Sequence, residues 1–303
     1  MRVAFAVAAA AAAVIAVSSS GAAPVGEQIA FWSTRSGIGD IYVMNADGSG
    51  QHRVTHGRAA DLEPAWSPNG VWIAFTRLVG AQADIYKVRV DGSGLRRVTR
   101  KPATDREPAW APDGSTLAFV RDFATRGRAI MIRSANGKAR RLPKGRLFAA
   151  FDPGWSPNGK RIAYTGAHAN GDFDIYVSNL VGRHVRRLTR SRAREYEPAW
   201  SPDGKWIAFV SERRGRPKIW LMRPDGSGAH ALTRGTSIDV RPAWSADAKT
   251  IAFQRSIQTK GVFRGADVYT MDVSGGNMHR LTRAKADDGW PTWRPGFRFP
   301  GVR

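Results

Sequence analysis

A seven-residue phrase recurs along this chain and constrains what it can fold into. In its fullest form it reads Pro198-Ala-Trp-Ser-Pro-Asp-Gly204, and variants begin at Pro64, Pro108, Pro153, Pro242 and Pro291. Successive prolines lie 44, 45, 45, 44 and 49 residues apart. A fixed period in the forties, with several short strands per unit, is the sequence mark of propeller blades. The 303 residues could hold two ordinary domains, but an unbroken repeat makes them one.

Each repeat supplies four strand-like pieces. The first carries the phrase tryptophan: Trp66, Trp110, Trp155, Trp200, Trp244 and Trp293. An Asn-Gly or Asp-Gly turn follows in most copies, as at Asn69-Gly70 and Asp203-Gly204, and supplies the positive φ angles that a hairpin needs. The second piece is Ile/Leu-Ala-aromatic, starting at Ile29, Ile73, Leu117, Ile162, Ile207 and Ile251. The third alternates apolar and other residues, as in Asp40-Ile-Tyr-Val-Met44, and so short an alternation argues strand. The fourth ends in Thr55, Thr99, Pro143, Thr189, Thr233 and Thr282. The array enters at a second strand, Gln28–Phe31, and leaves with a lone first strand around Pro291–Trp293. The last piece therefore completes the first blade, and closure removes the exposed edges of an open array. The expectation is an all-β, six-bladed propeller over 27–297, with four antiparallel strands per blade and a tail at 298–303.

The PxWSPDG–IAF–DIYVM–DGS–RLT pattern resembles the β-propeller repeat of TolB, the periplasmic component of the Tol–Pal envelope system. The resemblance spans about the whole of 27–297 and recurs in every repeat. It implies the propeller fold and a protein or peptide partner. The α/β domain that precedes the propeller in TolB is not matched ahead of these repeats, so the resemblance implies a TolB-like propeller and does not carry membership of a Tol–Pal complex with it. Related repeats also build the propellers of oligogalacturonate lyases and of prolyl-oligopeptidase-like and tricorn-like proteases.

Ahead of the repeats, Met1-Arg2 precedes an apolar run from Val3 to Val17 and small residues up to Ala23. This reads as a signal peptide over 1–23 with a short linker at 24–26. The run falls short of the roughly 20 residues that span a bilayer. The expectation is export to the periplasm or the extracellular space, with no integral membrane span after cleavage. Cysteine is absent, which excludes disulfides and thiolate metal sites.

The net charge of +22 could signal nucleic acid or an anionic wall polymer. Here the arginines are spread through every repeat: Arg53, Arg97, Arg141, Arg187 and Arg280 each precede the Val or Leu of a fourth strand. At outer blade edges such charges discourage edge-to-edge pairing, so edge charge is expected and a nucleic-acid partner is not.

Candidate chemistry is sparse. Gly154–Arg161 nearly spells a phosphate-binding loop, but Arg161 stands where Ser or Thr should hold magnesium, and the segment is one more hairpin. No G-x-S-x-G elbow occurs. His52, His184, His230 and His279 fall at or just before fourth strands in different blades, and only His168, between second and third strands, remains a metal or catalytic candidate. The repeated tryptophans read as inter-blade packing in preference to a sugar-stacking platform. A repeated acidic position remains. Asp61, Asp105, Glu195, Asp239 and Asp288 stand three residues before the repeat proline, and Glu63, Glu107, Asp152 and Glu197 one residue before it. With the first strand innermost, as in TolB-like propellers, these carboxylates approach one channel mouth, where they would receive basic or N–H groups of an inserted peptide. The opposing reading pairs them with blade arginines such as Arg35 and Arg213. No cofactor is expected, although a channel cation such as calcium is compatible with the ring. The function expected is a non-catalytic, exported, monomeric scaffold binding a protein or peptide in the cell envelope. The alternatives are a carbohydrate-active enzyme of the oligogalacturonate-lyase kind and a basic module for anionic wall polymer.

Overall fold

The computed structural model describes residues 28–296, apart from 101, 124–125 and 260–261. The expected signal peptide, linker and tail lie outside the described residues. Six four-stranded antiparallel sheets form the blades. Blade 1 is 28–53 completed by 288–293, and blades 2 to 6 are 60–97, 104–141, 149–187, 195–231 and 238–280. The last strand pairs with the first, Ile29 opposite Trp293 and Ser33 opposite Asp288, so the ring closes as the repeat phase requires. Across this seam, Arg294 donates its backbone N–H to the Gln28 carbonyl and its guanidinium to Gln28 Oε1. Among the described residues no helix is long and apolar enough to cross a membrane.

The phrase turns combine proline and glycine in a defined way. In Ser67-Pro-Asn-Gly70 only the glycine takes positive φ, +63°, and the Asn69 side chain accepts the Val71 N–H. Ser67 closes the loop by accepting the Trp72 N–H on its hydroxyl. The core lies between blades. Ala30, Ile41 and Val43 of blade 1 pack with Trp66, Ile73 and Phe75 of blade 2, and Ala208, Val210 and Ile219 of blade 5 with Trp244, Ile251 and Phe253 of blade 6. This explains the double-sided burial of the Ile-Ala-aromatic strands, which pack one face on each neighbouring blade.

The fourth-strand arginines differ from the expectation. Arg53 pairs with Asp40 at 2.8 Å and donates Nε to the Thr55 carbonyl, while the Thr55 hydroxyl accepts the Ile41 N–H. Arg97–Asp84, Arg187–Asp174 and Arg280–Asp267 repeat the pairing. These charges tie the fourth strand to the third and do not stand free along an edge. In blade 5 Lys218 takes the aspartate position, and Ala231 stands where the arginine would repel it. Arg141 has no such aspartate in blade 3 and lies over Phe123 instead.

Candidate functional site

Every first strand contains a bulge at the same point. Pairing slips between Leu62 and Ala65, Arg106 and Ala109, Phe151 and Gly154, Tyr196 and Ala199, and Val240 and Ala243, with the matching slip opposite Ala30–Trp32. The residue before each repeat proline sits in the bulge with positive φ: Glu63, Glu107, Asp152, Glu197, Arg241 and Trp290, between +51° and +58°. Glycine adopts this conformation without strain, whereas other residues lose on the order of 1–3 kcal/mol there. The chain nevertheless places a residue other than glycine at all six positions.

The hydrogen bonds show what those side chains do. Glu63 Oε2 accepts the backbone N–H of Glu107 at 2.8 Å, and Glu107 Oε2 accepts that of Asp152 at 2.7 Å. Asp152 accepts the Thr165 hydroxyl, which in turn accepts the Glu197 N–H. Glu197 Oε2 accepts the Arg241 N–H at 2.6 Å, and Gln254 Oε1 accepts that of Trp290. At five of the six blades the N–H freed by the bulge is thus satisfied by the preceding blade. The result is a run of blade-to-blade hydrogen bonds from blade 2 round to blade 1.

Charge along this run is uneven. Arg241 reaches across to Asp152 at 2.7 Å and Glu197 at 2.9 Å, with its guanidinium 3.2 Å from the centre of the Trp290 ring. One cation thus serves four carboxyl groups. Burial, then repulsion from Asp152 and Glu63, pushes the Glu107 carboxyl up to about 8. Burial likewise raises Glu197 to about 7, although Arg241 opposes it. The neighbouring carboxylates outweigh burial at Arg241 and hold it protonated.

Above this floor opens a funnel of about 530 Å³. Its wall is made by the tryptophans and prolines of all six phrases, from Trp66 and Pro68 round to Trp293 and Pro295, and Glu107, Asp152, Glu197, Arg241 and Trp290 line its base. The tryptophans also pack between blades as expected: Trp155 donates Nε1 to the Ala109 carbonyl and Trp244 to that of Ala199, each at 3.0 Å. The same rings therefore serve as packing and as funnel wall.

The carboxylates three residues before the proline lie elsewhere. Asp61, Asp105, Glu195, Asp239 and Asp288 are all fully buried, each against an arginine from the second strand or the loop after it. Asp61 and Asp105 take bidentate forks from Arg77 and Arg121, at 2.6 to 2.7 Å. Glu195 pairs with Arg213, Asp239 with Arg255 and Lys218, and Asp288 with Arg35. These guanidinium groups cover aromatic rings, as Arg77 does on Phe75 and Tyr86. The structure therefore does not bring these five together at a mouth. Blade 4 lacks both partners, with Ala150 opposite Gly166, and the Leu147 side chain fills the space. Acid and arginine are absent together, as expected of a structural pair. Burial raises the Asp61 carboxyl despite Arg77, whereas at Asp239 the two cations Arg255 and Lys218 overcome burial and lower it.

The nine predicted carboxylates thus divide into an ion-paired set and a bulge set of Glu63, Glu107, Asp152 and Glu197, of which the last three line the funnel base. Arg241 and Trp290 complete the bulge set but were not singled out from the sequence, because they are not acidic. Their place one residue before the repeat proline was the available signal. His168 is engaged locally, 3.0 Å from the Tyr176 hydroxyl and 3.3 Å from Asp174.

Comparison with known proteins gives the family. The TolB beta propeller domain model matches residues 7–165 and 106–298. No curated protein sequence matches the chain. Among solved structures, TolB from Acinetobacter baumannii superposes with a TM-score of 0.76 at 20% identity, over 89% of this chain and 67% of that one. A protein from Agrobacterium tumefaciens assigned as TolB gives 0.70 at 23% identity, over 89% and 99%. An oligogalacturonate lyase in complex with manganese gives 0.56 at 13% identity, over 85% and 74%. The closed ring, the bulged first strands and the repeat match agree, and the chain belongs to the TolB β-propeller domain family.

Proposed function

We propose that this protein is an exported binding module that receives an extended segment of a partner protein in its tryptophan–proline funnel, with a basic group of that segment at the carboxylate base. The observation that carries this reading is the funnel itself: a tryptophan–proline wall from all six blades, interrupted by Arg294 over Trp66, above a base holding Glu107, Asp152, Glu197 and Arg241. Aromatic and proline surfaces receive extended peptides at low entropic cost, and convergent carboxylates favour an ammonium or guanidinium group. Family membership and the apolar run at 3–17 support an envelope location. A metal-dependent lyase is less well supported, because among the described residues no group of three or more His, Asp or Glu side chains is arranged to hold an ion.

A displayed random peptide library tests the proposal. Wild type should select extended sequences carrying Lys or Arg, and a variant with Ala109→Tyr and Ala243→Tyr, two positions on the funnel wall, should lose them while remaining folded. Equal selection by the folded, plugged variant would place binding elsewhere.

A further inference from the structure

The interface between blades 2 and 3 departs from the other five. On each third strand, the residue opposite the repeat alanine faces the next blade, as Val43 does in the cluster with Trp66 and Ile73. Its equivalents are Lys87, Ile132, Val177, Leu221 and Thr270. The following residue faces the previous blade, as Val88 does in that cluster, and its equivalents are Met44, Arg133, Ser178, Met222 and Met271. Five interfaces therefore oppose apolar or hydroxyl side chains at this level. Only the interface of blades 2 and 3 opposes a lysine to an arginine.

Further cations converge there. Lys87 Nζ lies 4.5 Å from the centre of the Trp72 ring and 5.9 Å from that of Trp110. The Arg89 and Arg96 guanidinium groups lie 5.2 and 6.0 Å from the Trp72 ring. Among the described residues none of Lys87, Arg89, Arg96 or Arg133 forms an ion pair, whereas the neighbouring second-strand and fourth-strand arginines of the same two blades, Arg77, Arg97 and Arg121, each do. Asp91, the carboxylate that feels Arg89, is held by the Ser93 N–H. Burial, then Arg96 and Arg133, lowers the proton affinity of Lys87. Like charges drawn together without a counter-ion oppose folding.

We propose that Lys87, Arg89, Arg96 and Arg133 form an oxyanion site for a dianionic phosphate group, at the end of the ring where the funnel opens. Three guanidinium groups and an ammonium, with Lys87, Arg89 and Arg96 gathered at the Trp72 indole, supply the charge-assisted donors that a terminal phosphate takes up. Trp72 and the four cations lie outside the funnel lining, so the proposal does not rest on the peptide reading, although Trp110, which Lys87 also approaches, belongs to the funnel wall.

The test is thermal unfolding and calorimetry with inorganic phosphate and with glycerol 3-phosphate, against chloride at matched ionic strength. Wild type should gain Tm as either probe is added. Lys87→Val with Arg133→Met installs the side chains of the sister interfaces. It should raise Tm without ligand and weaken phosphate binding at least about tenfold. Arg89→Gln with Arg96→Gln, at exposed positions, should weaken binding without the gain in stability. A response to glycerol 3-phosphate alone would assign the site to a phosphate monoester, and a response to both to the phosphate group itself. No phosphate-specific gain in wild type, or an equal gain in the Lys87/Arg133 variant, would overturn the proposal.

Discussion

Glu107→Gln isolates the electrostatic cost of the channel. Glutamine matches the protonated acid in shape and can still accept the Asp152 N–H that Glu107 Oε2 accepts at 2.7 Å. In the folded protein the Glu107 carboxyl moves from an ordinary value of 4.5 to about 8. At 1.36 kcal/mol per pH unit, that displacement amounts to about 5 kcal/mol of penalty on the ionised native state. Because Glu107 shares this penalty with the neighbouring Asp152 and Glu63 carboxyl groups, about 2–4 kcal/mol is expected. Because the folded value is raised, the penalty is absent below pH 4.5, where the carboxyl is protonated in both states, and stability is lost progressively as pH rises from there through about 8. Denaturant unfolding should therefore find wild type and variant equally stable near pH 4, and the variant more stable near pH 9 by about that amount. Parallel stability curves for the two proteins from acid to alkaline pH would refute the reasoning, since Glu107 would then ionise as it does in the unfolded chain.

Other expectations follow from the same geometry. Asp61→Asn leaves Arg77 buried without its fork and should cost about 3–5 kcal/mol in denaturant unfolding, with Arg77→Met added to the variant recovering part of the loss in a double-mutant cycle. Gly166→Ala would bring a methyl within 2.6 Å of the Tyr176 ring and 2.7 Å of Leu147. It should cost about 1–3 kcal/mol by overpacking, and Leu147→Ala in the same chain should recover only the part due to Leu147, since the Tyr176 contact remains. Peptides selected for basic residues should bind more tightly as pH rises from about 6 to about 9, because Glu107 and Glu197 then ionise, and Glu107→Gln should flatten that dependence when followed by calorimetry.

The sequence by itself determined the ring. Its period, the order of strands within each repeat and the out-of-phase ends specify six blades and a closing strand, because strand alternation and Asn/Asp-Gly turns are local properties of a chain. It also carried the acids of the bulges, since Glu63, Glu107, Asp152 and Glu197 stand at one repeat position. Tertiary structure decided which acids face the channel. Residues two apart on a strand ordinarily share a face, so Asp61 and Glu63 read alike in sequence. The bulge that holds Glu63 shifts pairing by one residue and gives it a positive φ, so that its carboxylate accepts the Glu107 N–H of the next blade, while Asp61 stays opposite Arg77. Whether a repeated carboxylate meets an arginine or an open channel depends on a second strand 16 residues away, as for Asp61 and Arg77, and on the neighbouring blade. The Lys87–Arg133 confrontation is likewise invisible until two blades are set side by side. Each residue is ordinary within its own strand, and only the packing of one sheet on the next gives both the same space.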